Sequence, residues 1–240
     1  MLLAEALTKT YPSGYTAVHA LDLSVADGET LFLLGANGAG KSTTLHLFMD
    51  FIRPTAGRAL VDGIEVAADP LLAKGHIAYI PENVAFYGAL TGYENARFFA
   101  SLGGRPHISG TELADAVELV GLQRADLSKR VATLSKGMKQ KLAIGIAWLR
   151  GARNLVMDEP TSGLDPASAA SFMTLLREMR ARGCAILVSS HDVFRVRDNA
   201  DRIVILREGH VVGRLDGKAI ADCDVEKLYL QLMSDSAVAT

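Results

Sequence analysis

The sequence predicts an α/β fold, with strands at the N-terminus and a helical insertion near the middle of the chain. Two apolar segments of strand length, residues 30–34 and 155–158, each run directly into a polar or glycine-rich loop. Between about residues 86 and 150 the spacing of apolar residues becomes helical. No internal repeat or low-complexity linker interrupts the 240 residues, so we expect a single α/β unit with an inserted lobe.

The first half of the chain supports this order of elements. Residues 1–30 are expected to form antiparallel strands, because residues 17–25 alternate and Asp27-Gly28 then supplies a turn. A helix is predicted from about residue 41 to 50, where neither glycine nor proline occurs. Residues 77–80 form a short buried strand that Pro81 closes.

In the second half, cap residues mark the helices. Ser109 and Glu112 have the spacing of a capping box. Asp165-Pro166 places a cap and a first-turn proline before a helix that ends near Gly183. Strands are predicted at 185–190 and 202–206, and the second returns through Glu208-Gly209 into residues 210–215.

Composition excludes several classes of protein. The net charge of −2 provides no global positive field, so we expect no nucleic-acid partner. Cys184 and Cys223 lack disulfide or metal-ligand spacing and are expected to be reduced thiols. The N-terminus has no basic region before an apolar core, and the apolar run 142–149 is far shorter than the roughly 20 residues that span a bilayer. The protein is therefore expected to serve any membrane from the water side.

Residues 35–42 form a complete G-x-x-x-x-G-K-[ST] phosphate loop between a strand and a helix. Its glycines allow successive N–H groups to point at phosphates, and the helix adds its positive dipole end. Lys41 is expected to bridge the terminal phosphates and the Ser42 hydroxyl to hold magnesium. The predicted nucleotide ligands here are Gly35, Asn37, Gly38, Ala39, Gly40, Lys41, Ser42 and Thr43.

Two adjacent carboxylates end the apolar strand that begins at residue 155. Asp158 is expected to hold magnesium, and Glu159 to polarise the water that attacks the γ-phosphate. The chemistry predicted from these residues is hydrolysis of a nucleoside triphosphate held with Mg²⁺, whereas two adjacent acids alone could also be solvated charges.

Three further segments resemble the ATP-binding cassette (ABC) family over nearly the whole chain: Leu134–Met138 resembles the signature, 160–165 the D-loop, and His191 the switch histidine. The resemblance implies a P-loop NTPase (RecA-like) core with an N-terminal antiparallel β subdomain and an inserted α-helical subdomain. It implies an ATPase domain at 1–220, with the helical subdomain at about 86–150, and a short C-terminal helix and tail at 221–240.

The resemblance also implies roles for residues outside the phosphate loop. Ser135 and Gly137 would cover the γ-phosphate held by a second copy of the chain, and Asp165 would face that copy. His191 would act in catalysis with Lys41 and Glu159 by sensing the γ-phosphate. Tyr11 would stack on adenine, with Tyr15 as the competing candidate.

The sequence departs from the family pattern at two sites. Lys136 and Met138 replace the first Gly and the Gln of the usual Leu-Ser-Gly-Gly-Gln signature. Glu82 stands where the family usually has a glutamine that reaches the metal, and we expect it to keep that contact. A signature of this kind is similar to those of exporters with ABC-2-type membrane subunits.

The function predicted from the resemblance is that of an ATPase subunit that powers transport, with export favoured. Its cofactors would be ATP and Mg²⁺. Its partners would be a second copy of itself and a polytopic permease at the cytoplasmic face of the cell membrane. Phe86 and Tyr87 are the candidates for the permease contact, with core packing as the alternative, and Phe98 and Phe99 are expected in the core of the helical insertion. An importer ATPase and a soluble ABC ATPase acting on nucleic acid or ribosomes stay open as alternatives. The second lacks support, since no heptads, cysteine cluster or basic stripe separate Ser42 from Leu134.

Overall fold

The computed structural model describes residues 1–234. Within that range, the strands are β1 (Leu2–Thr10), β2 (Thr16–Val25), β3 (Thr30–Leu34), β4 (Ala56–Val61), β5 (Ile64–Glu65), β6 (Ile77–Ile80), β7 (Asn154–Asp158), β8 (Ala185–Ser190), β9 (Arg202–Arg207) and β10 (His210–Asp216). The helices are α1 (Lys41–Phe48), α2 (Pro70–His76), α3 (Gly92–Leu102), α4 (Gly110–Leu119), α5 (Arg124–Leu127), α6 (Lys136–Leu149), α7 (Pro166–Ala181), α8 (Val193–Arg197), α9 (Gly217–Asp222) and α10 (Val225–Ser234).

The strands form two sheets. A four-stranded sheet has the order β2-β1-β4-β5 and is antiparallel. A six-stranded sheet has the order β10-β9-β3-β8-β7-β6, in which only β10 runs against its neighbour. The α/β core with an N-terminal antiparallel sheet is therefore confirmed.

The central strands of the larger sheet are buried on both faces. All five residues of β3 and all six of β8 are buried, as expected for strands of a parallel sheet covered by helices. Because β3, β7 and β8 are parallel neighbours, their carboxyl ends lie at the same edge of the sheet. The loops that carry Lys41, Glu159 and His191 all leave from that edge.

The helical insertion contains α3 to α6, and its helices begin where the cap residues predict. The capping box of Ser109 and Glu112 is present at the start of α4. A second one, formed by Thr91 and Glu94, begins α3. The cap at Asp165, followed by Pro166, begins α7 as predicted. The aliphatic residues of the helical insertion join those of α7 and of the larger sheet in one hydrophobic core.

Some elements differ from the sequence expectation. The strands β4 and β5 and the helix α2 were not anticipated, because they are short and weakly patterned. Phe98, which helical spacing assigns to the core of the insertion, is 38% exposed, so that assignment is wrong. It stacks edge-on against Tyr87 and Phe99 at the surface instead.

The C-terminal helix expected after residue 221 forms as α10 and packs against α8. The side chain of Arg207 donates a hydrogen bond to the carbonyl oxygen of Leu232, near the end of α10. Residues 235–240, the expected tail, lie outside the described residues. Both cysteines are free, with Cys184 buried and Cys223 half-buried.

Across residues 1–234, the search for a helix both long enough and apolar enough to cross a bilayer found none.

Phe172→Ala should destabilise the protein strongly, because Phe172 of α7 is fully buried in the larger core. Removal of a buried aromatic ring leaves a cavity and typically costs about 3–5 kcal/mol. Phe194→Ala is the matched control, since that ring is 71% exposed. Urea unfolding followed by circular dichroism should show a large fall in midpoint for the first variant only; equal midpoints would contradict this packing.

Candidate nucleotide-binding site

The loop between β3 and α1 has a backbone shape that only glycine permits at its last position. Gly40 has a φ of +101°, in the left-handed region. A Cβ there would lie 2.3 Å from the carbonyl oxygen of Ala17. The amide of Gly209, in the β9–β10 turn, donates to the carbonyl oxygen of Ala39. The loop is therefore clamped by backbone from both sheets.

This loop borders a cavity of about 290 Å³. Most of the residues predicted to bind nucleotide or metal line it: Tyr11, Asn37, Gly38, Ala39, Gly40, Lys41, Ser42, Thr43, Glu82, Asp158 and Glu159. Tyr15 also lines it. Gly35 does not, but its carbonyl oxygen accepts a hydrogen bond of 2.7 Å from Lys41 Nζ.

A chain of polar contacts runs from Lys41 through Glu159 to His191. The Lys41 side chain is only 6% exposed, and its Nζ lies 3.4 Å from Glu159 Oε1. The other oxygen of that carboxylate, Oε2, lies 2.9 Å from His191 Nδ1. Glu159 has a φ of +45°, an uncommon backbone conformation for a non-glycine residue. The structure thus brings together all three residues predicted to be catalytic.

Asp158 is held by hydroxyl groups. Ser42 Oγ lies 3.2 Å from Asp158 Oδ1, and Ser189 Oγ donates to the same oxygen over 2.5 Å. Ser189 Oγ also accepts from the Glu159 amide over 2.9 Å. The hydroxyl of Tyr79 lies 3.4 Å from Asp158 Oδ2. The pKa of Tyr79 is raised above its usual range, first by burial and then by the charge and hydrogen bond of Asp158.

Sequence reasoning missed Ser189 and Tyr79. Both belong to strands that were correctly predicted; Tyr79 interrupts the apolar run of β6, and Ser189 follows that of β8. A polar group in a buried strand is the available signal, because its hydroxyl needs a hydrogen-bond partner. The strand order that makes Asp158 this partner requires knowledge of the sheet topology.

The two candidate tyrosines take different positions beside the loop. The hydroxyl of Tyr11 lies 3.4 Å from Thr43 Oγ1, whereas that of Tyr15 donates to the carbonyl oxygen of Gly38. Tyr15 is 52% exposed. Both rings border the same cavity, so the geometry leaves both available for stacking on a base.

The signature segment faces a different cavity. Ser135 and Gly137 line a surface cavity of about 540 Å³ together with Met138, Lys141 and Ser168. Ser135 is the N-cap of α6, and its Oγ accepts from the Met138 amide. One protomer therefore does not bring its own signature serine and glycine into the cavity beside the phosphate loop.

Asp165 serves a local structural purpose in this protomer. Its carboxylate accepts a hydrogen bond from the Ser168 amide at the start of α7. Hydrogen bonds from Ser168 lower the pKa of Asp165 below its usual range. Contact of Asp165 with nucleotide or with a second copy stays a prediction.

The donor set suits a magnesium nucleotide. Glu159 Oε1 is buried and has no hydrogen-bond partner among the described residues, so it can accept a proton or a water hydrogen. Ser42 and Asp158 present hard oxygen atoms next to each other. Magnesium is usually held by one or two carboxylates plus substrate phosphates. Within residues 1–234, no cluster of three or more His, Cys, Asp or Glu side chains is arranged to hold a metal.

The family model described as "ABC transporter" matches residues 18–162. The linearmycin resistance ATP-binding protein LnrL of Bacillus subtilis is 33% identical over 88% of this chain and 68% of its own length. The phosphonates import ATP-binding protein PhnC 3 of a Nostoc species is 32% identical over 95% of this chain and 92% of its own length. The chain spans about two thirds of the length of LnrL.

Solved structures agree. The structure of an ATP binding subunit of an ABC transporter has a TM-score of 0.83 at 30% identity and covers 98% of this chain and 100% of its own. The cassette MJ0796 was solved as a dimer bound to ADP and Pi. It has a TM-score of 0.80 at 24% identity and covers 90% of this chain and 99% of its own, which shows that the two share a fold. The chain belongs to the ABC transporter family. It is an ATPase of that family, as the sequence predicts.

Ser189→Ala should lower ATP turnover about tenfold, because it removes a buried donor to Asp158 and the acceptor for the Glu159 amide. Leaving such groups unpaired costs about 1–3 kcal/mol. The magnesium concentration for half-maximal activity should rise as well, which a purely structural loss would not cause. Ser101→Ala, whose hydroxyl only contacts the Phe98 carbonyl, is the control. Steady-state ATPase assays over a magnesium series test this; an unchanged magnesium requirement would contradict it.

Proposed function

We propose that this protein is the ATPase subunit of an ABC exporter and that two copies close around two ATP molecules to drive transport. One observation carries the proposal. The phosphate loop and the signature of one protomer line separate cavities, although both present N–H groups of a helix N-terminus. A two-fold pairing would join each loop to the other copy's signature. The dimeric state of MJ0796 supports this arrangement.

The roles proposed for the site residues follow from their contacts. Lys41 is held in place by the Gly35 carbonyl oxygen and by Glu159, so its charge is already positioned for the terminal phosphates. Glu159 accepts the proton of the attacking water at its carboxylate, whose Oε1 makes no hydrogen bond within residues 1–234 and lies 3.4 Å from Lys41 Nζ. His191 orients that carboxylate from the opposite side, where the D-loop lies beside it.

Ser42 and Asp158 would hold Mg²⁺ when ATP is bound, with Glu82 as a third oxygen donor at the cavity wall. The ion would neutralise charge on the phosphates during hydrolysis. Ser189 and Tyr79 keep the Asp158 carboxylate oriented toward Ser42. The chain thus prepares the geometry before nucleotide arrives, which lowers the cost of reorganisation in the reaction.

A groove of about 450 Å³ is the proposed contact for a polytopic permease. Phe86, Phe99, Leu102 and Ile146 contribute apolar surface to it, and Arg150 lies among them. The exposed side chains of Tyr87 and Phe98 extend the apolar surface outward. An apolar patch of this kind marks an interaction site. The protein would be held at the cytoplasmic face of the cell membrane by this contact.

Export through an ABC-2-type permease is the finer part of the proposal. It is supported by the Leu-Ser-Lys-Gly-Met signature and by similarity to LnrL, whose name refers to linearmycin resistance. Import is the second candidate, because PhnC 3, a phosphonate import protein, matches along 92% of its length. Transport assays in inverted vesicles with the reconstituted permease separate the two directions.

Glu159→Gln should bind ATP, hydrolyse it more than about a hundredfold more slowly than the parent, and accumulate as a dimer. The substitution keeps the shape of the side chain but removes its capacity to accept a proton. Glu178→Gln, on α7, is the control. Sedimentation velocity with ATP, and with ADP for comparison, reports the dimer. Retained hydrolysis would identify another general base.

Mixing two inactive variants tests whether the sites are shared. Lys41→Ala damages the phosphate loop, whereas Ser135→Arg blocks the signature surface. In a heterodimer of the two, one composite site carries both lesions and the other is intact, so a heterodimer should regain up to about half of the parental activity. In an equimolar mixture that pairs at random, only half of the dimers are heterodimers, so the mixture should regain up to about a quarter. Each variant alone should be inactive. Full hydrolysis by either variant held as a monomer would overturn the shared-site model.

A further inference from the structure

The two departures from the family pattern contact each other. Lys136 is at the start of the signature helix α6, and Glu82 lies in the loop after β6, 54 positions earlier in the chain. Their side chains meet, with Lys136 Nζ at 3.7 Å from Glu82 Oε1. An ion pair thus connects the helical insertion to the wall of the nucleotide cavity.

The Lys136 ammonium lies where three segments meet. It is 3.8 Å from the point that a Cβ on Gly163 would occupy, in the loop that follows Glu159. The adjacent Gly137 packs close to Leu164 of the same loop, with 3.7 Å between the Leu164 Cδ2 and a Cβ built on Gly137. A change in the partner of Lys136 would therefore alter the contacts between α6, this loop and the loop that carries Glu82.

The charges around the cavity explain why Glu82 needs this partner. Three carboxylates line the cavity, those of Glu82, Asp158 and Glu159, against the single lysine Lys41. Lys41 is already paired with Glu159, and Asp158 is held by hydroxyl groups. Lys136 is the cation that pairs with Glu82 in this protomer.

We propose that the Glu82–Lys136 ion pair acts as a latch. It is formed in the free protomer and breaks when two protomers close around ATP. Lys136 leaves Glu82 and pairs with the triphosphate held by the second copy, toward which its helix N-terminus is directed in the dimer. Glu82 is then left to the nucleotide bound by its own protomer. This inference rests on the proposed function, because it requires the shared site.

The latch is weak enough to be exchanged. The side chains of Lys136 and Glu82 are 30% and 47% exposed, and their separation exceeds that of a good hydrogen bond. Pairs with this exposure shift an equilibrium by about two- to fivefold. A triphosphate carries several negative charges, so it competes effectively with a single carboxylate for the ammonium.

The first experiment measures the latch in the nucleotide-free monomer. Glu82→Gln and Lys136→Met each remove the pair, so both should accelerate hydrogen exchange of the amides at the start of α6 about two- to fivefold. Lys139→Met removes the same charge from the same helix and should leave exchange unchanged. Equal exchange in the parent and in both pair variants would overturn the latch.

The second experiment measures the exchange of partners, using ATP as the probe and dimer formation by the Glu159→Gln protein as the readout. Glu82→Gln frees Lys136 and should lower the ATP concentration for half-dimerisation about two- to fivefold. Lys136→Met removes the cation that the triphosphate would bind and should raise that concentration. Glu82→Gln keeps a side-chain oxygen for the metal, so in the Lys136→Met background it should have no further effect.

The double variant, with both Glu82→Gln and Lys136→Met, distinguishes the latch from simple repulsion between Glu82 and ATP. A gain from Glu82→Gln that persists without Lys136 would overturn the proposal, and so would a shift of both single variants in the same direction. If the Glu159→Gln protein stays monomeric at saturating ATP, the shared site itself fails and partner exchange falls with it. Hydrogen exchange in the monomer still decides whether the ion pair constrains α6.

Discussion

Parallel pairing of β3, β7 and β8 is the constraint on which the rest of the site depends. The three strands are mostly buried, and parallel hydrogen-bonded pairing sets their alignment. Because they run in the same direction, the phosphate loop, the two carboxylates and His191 emerge at one edge of the sheet. Ligands commonly bind at this edge of open α/β sheets. The arrangement of Lys41, Glu159 and His191 therefore follows from the order and direction of the core strands.

At that edge, Glu159 combines two side-chain contacts with an uncommon backbone conformation. Its carboxylate contacts Lys41 on one side and His191 on the other, while its backbone has a positive φ. Such a conformation persists only where the surroundings hold it, and here Ser189 accepts the Glu159 amide hydrogen. One carboxylate oxygen, Oε1, is buried and makes no hydrogen bond among the described residues, and the Lys41 ammonium lies 3.4 Å from it.

Sequence reasoning predicted the class of fold, the strands that form the core and nearly every residue beside the cavity. These predictions succeeded because the phosphate loop and the helix caps are local patterns, defined by residues only a few positions apart. It missed Ser189 and Tyr79, because their role depends on which strand lies next to β7. It also placed Phe98 in the core, since helical spacing cannot distinguish a buried face from one left open for a partner. The pairing of Glu82 with Lys136 was out of reach for the same reason: it joins segments that are adjacent only after folding.

The clamp around Gly40 has a consequence for how this site can change. The carbonyl oxygen of Ala17 leaves no room for a side chain at position 40. The same oxygen leaves no room for a side chain at position 209. Every amino acid carries this oxygen, so no replacement at residue 17 can make room. A variant with a bulkier residue at position 40 cannot be rescued by a compensating substitution at its contact, because the backbone path of β2, and not its side chains, sets the limit.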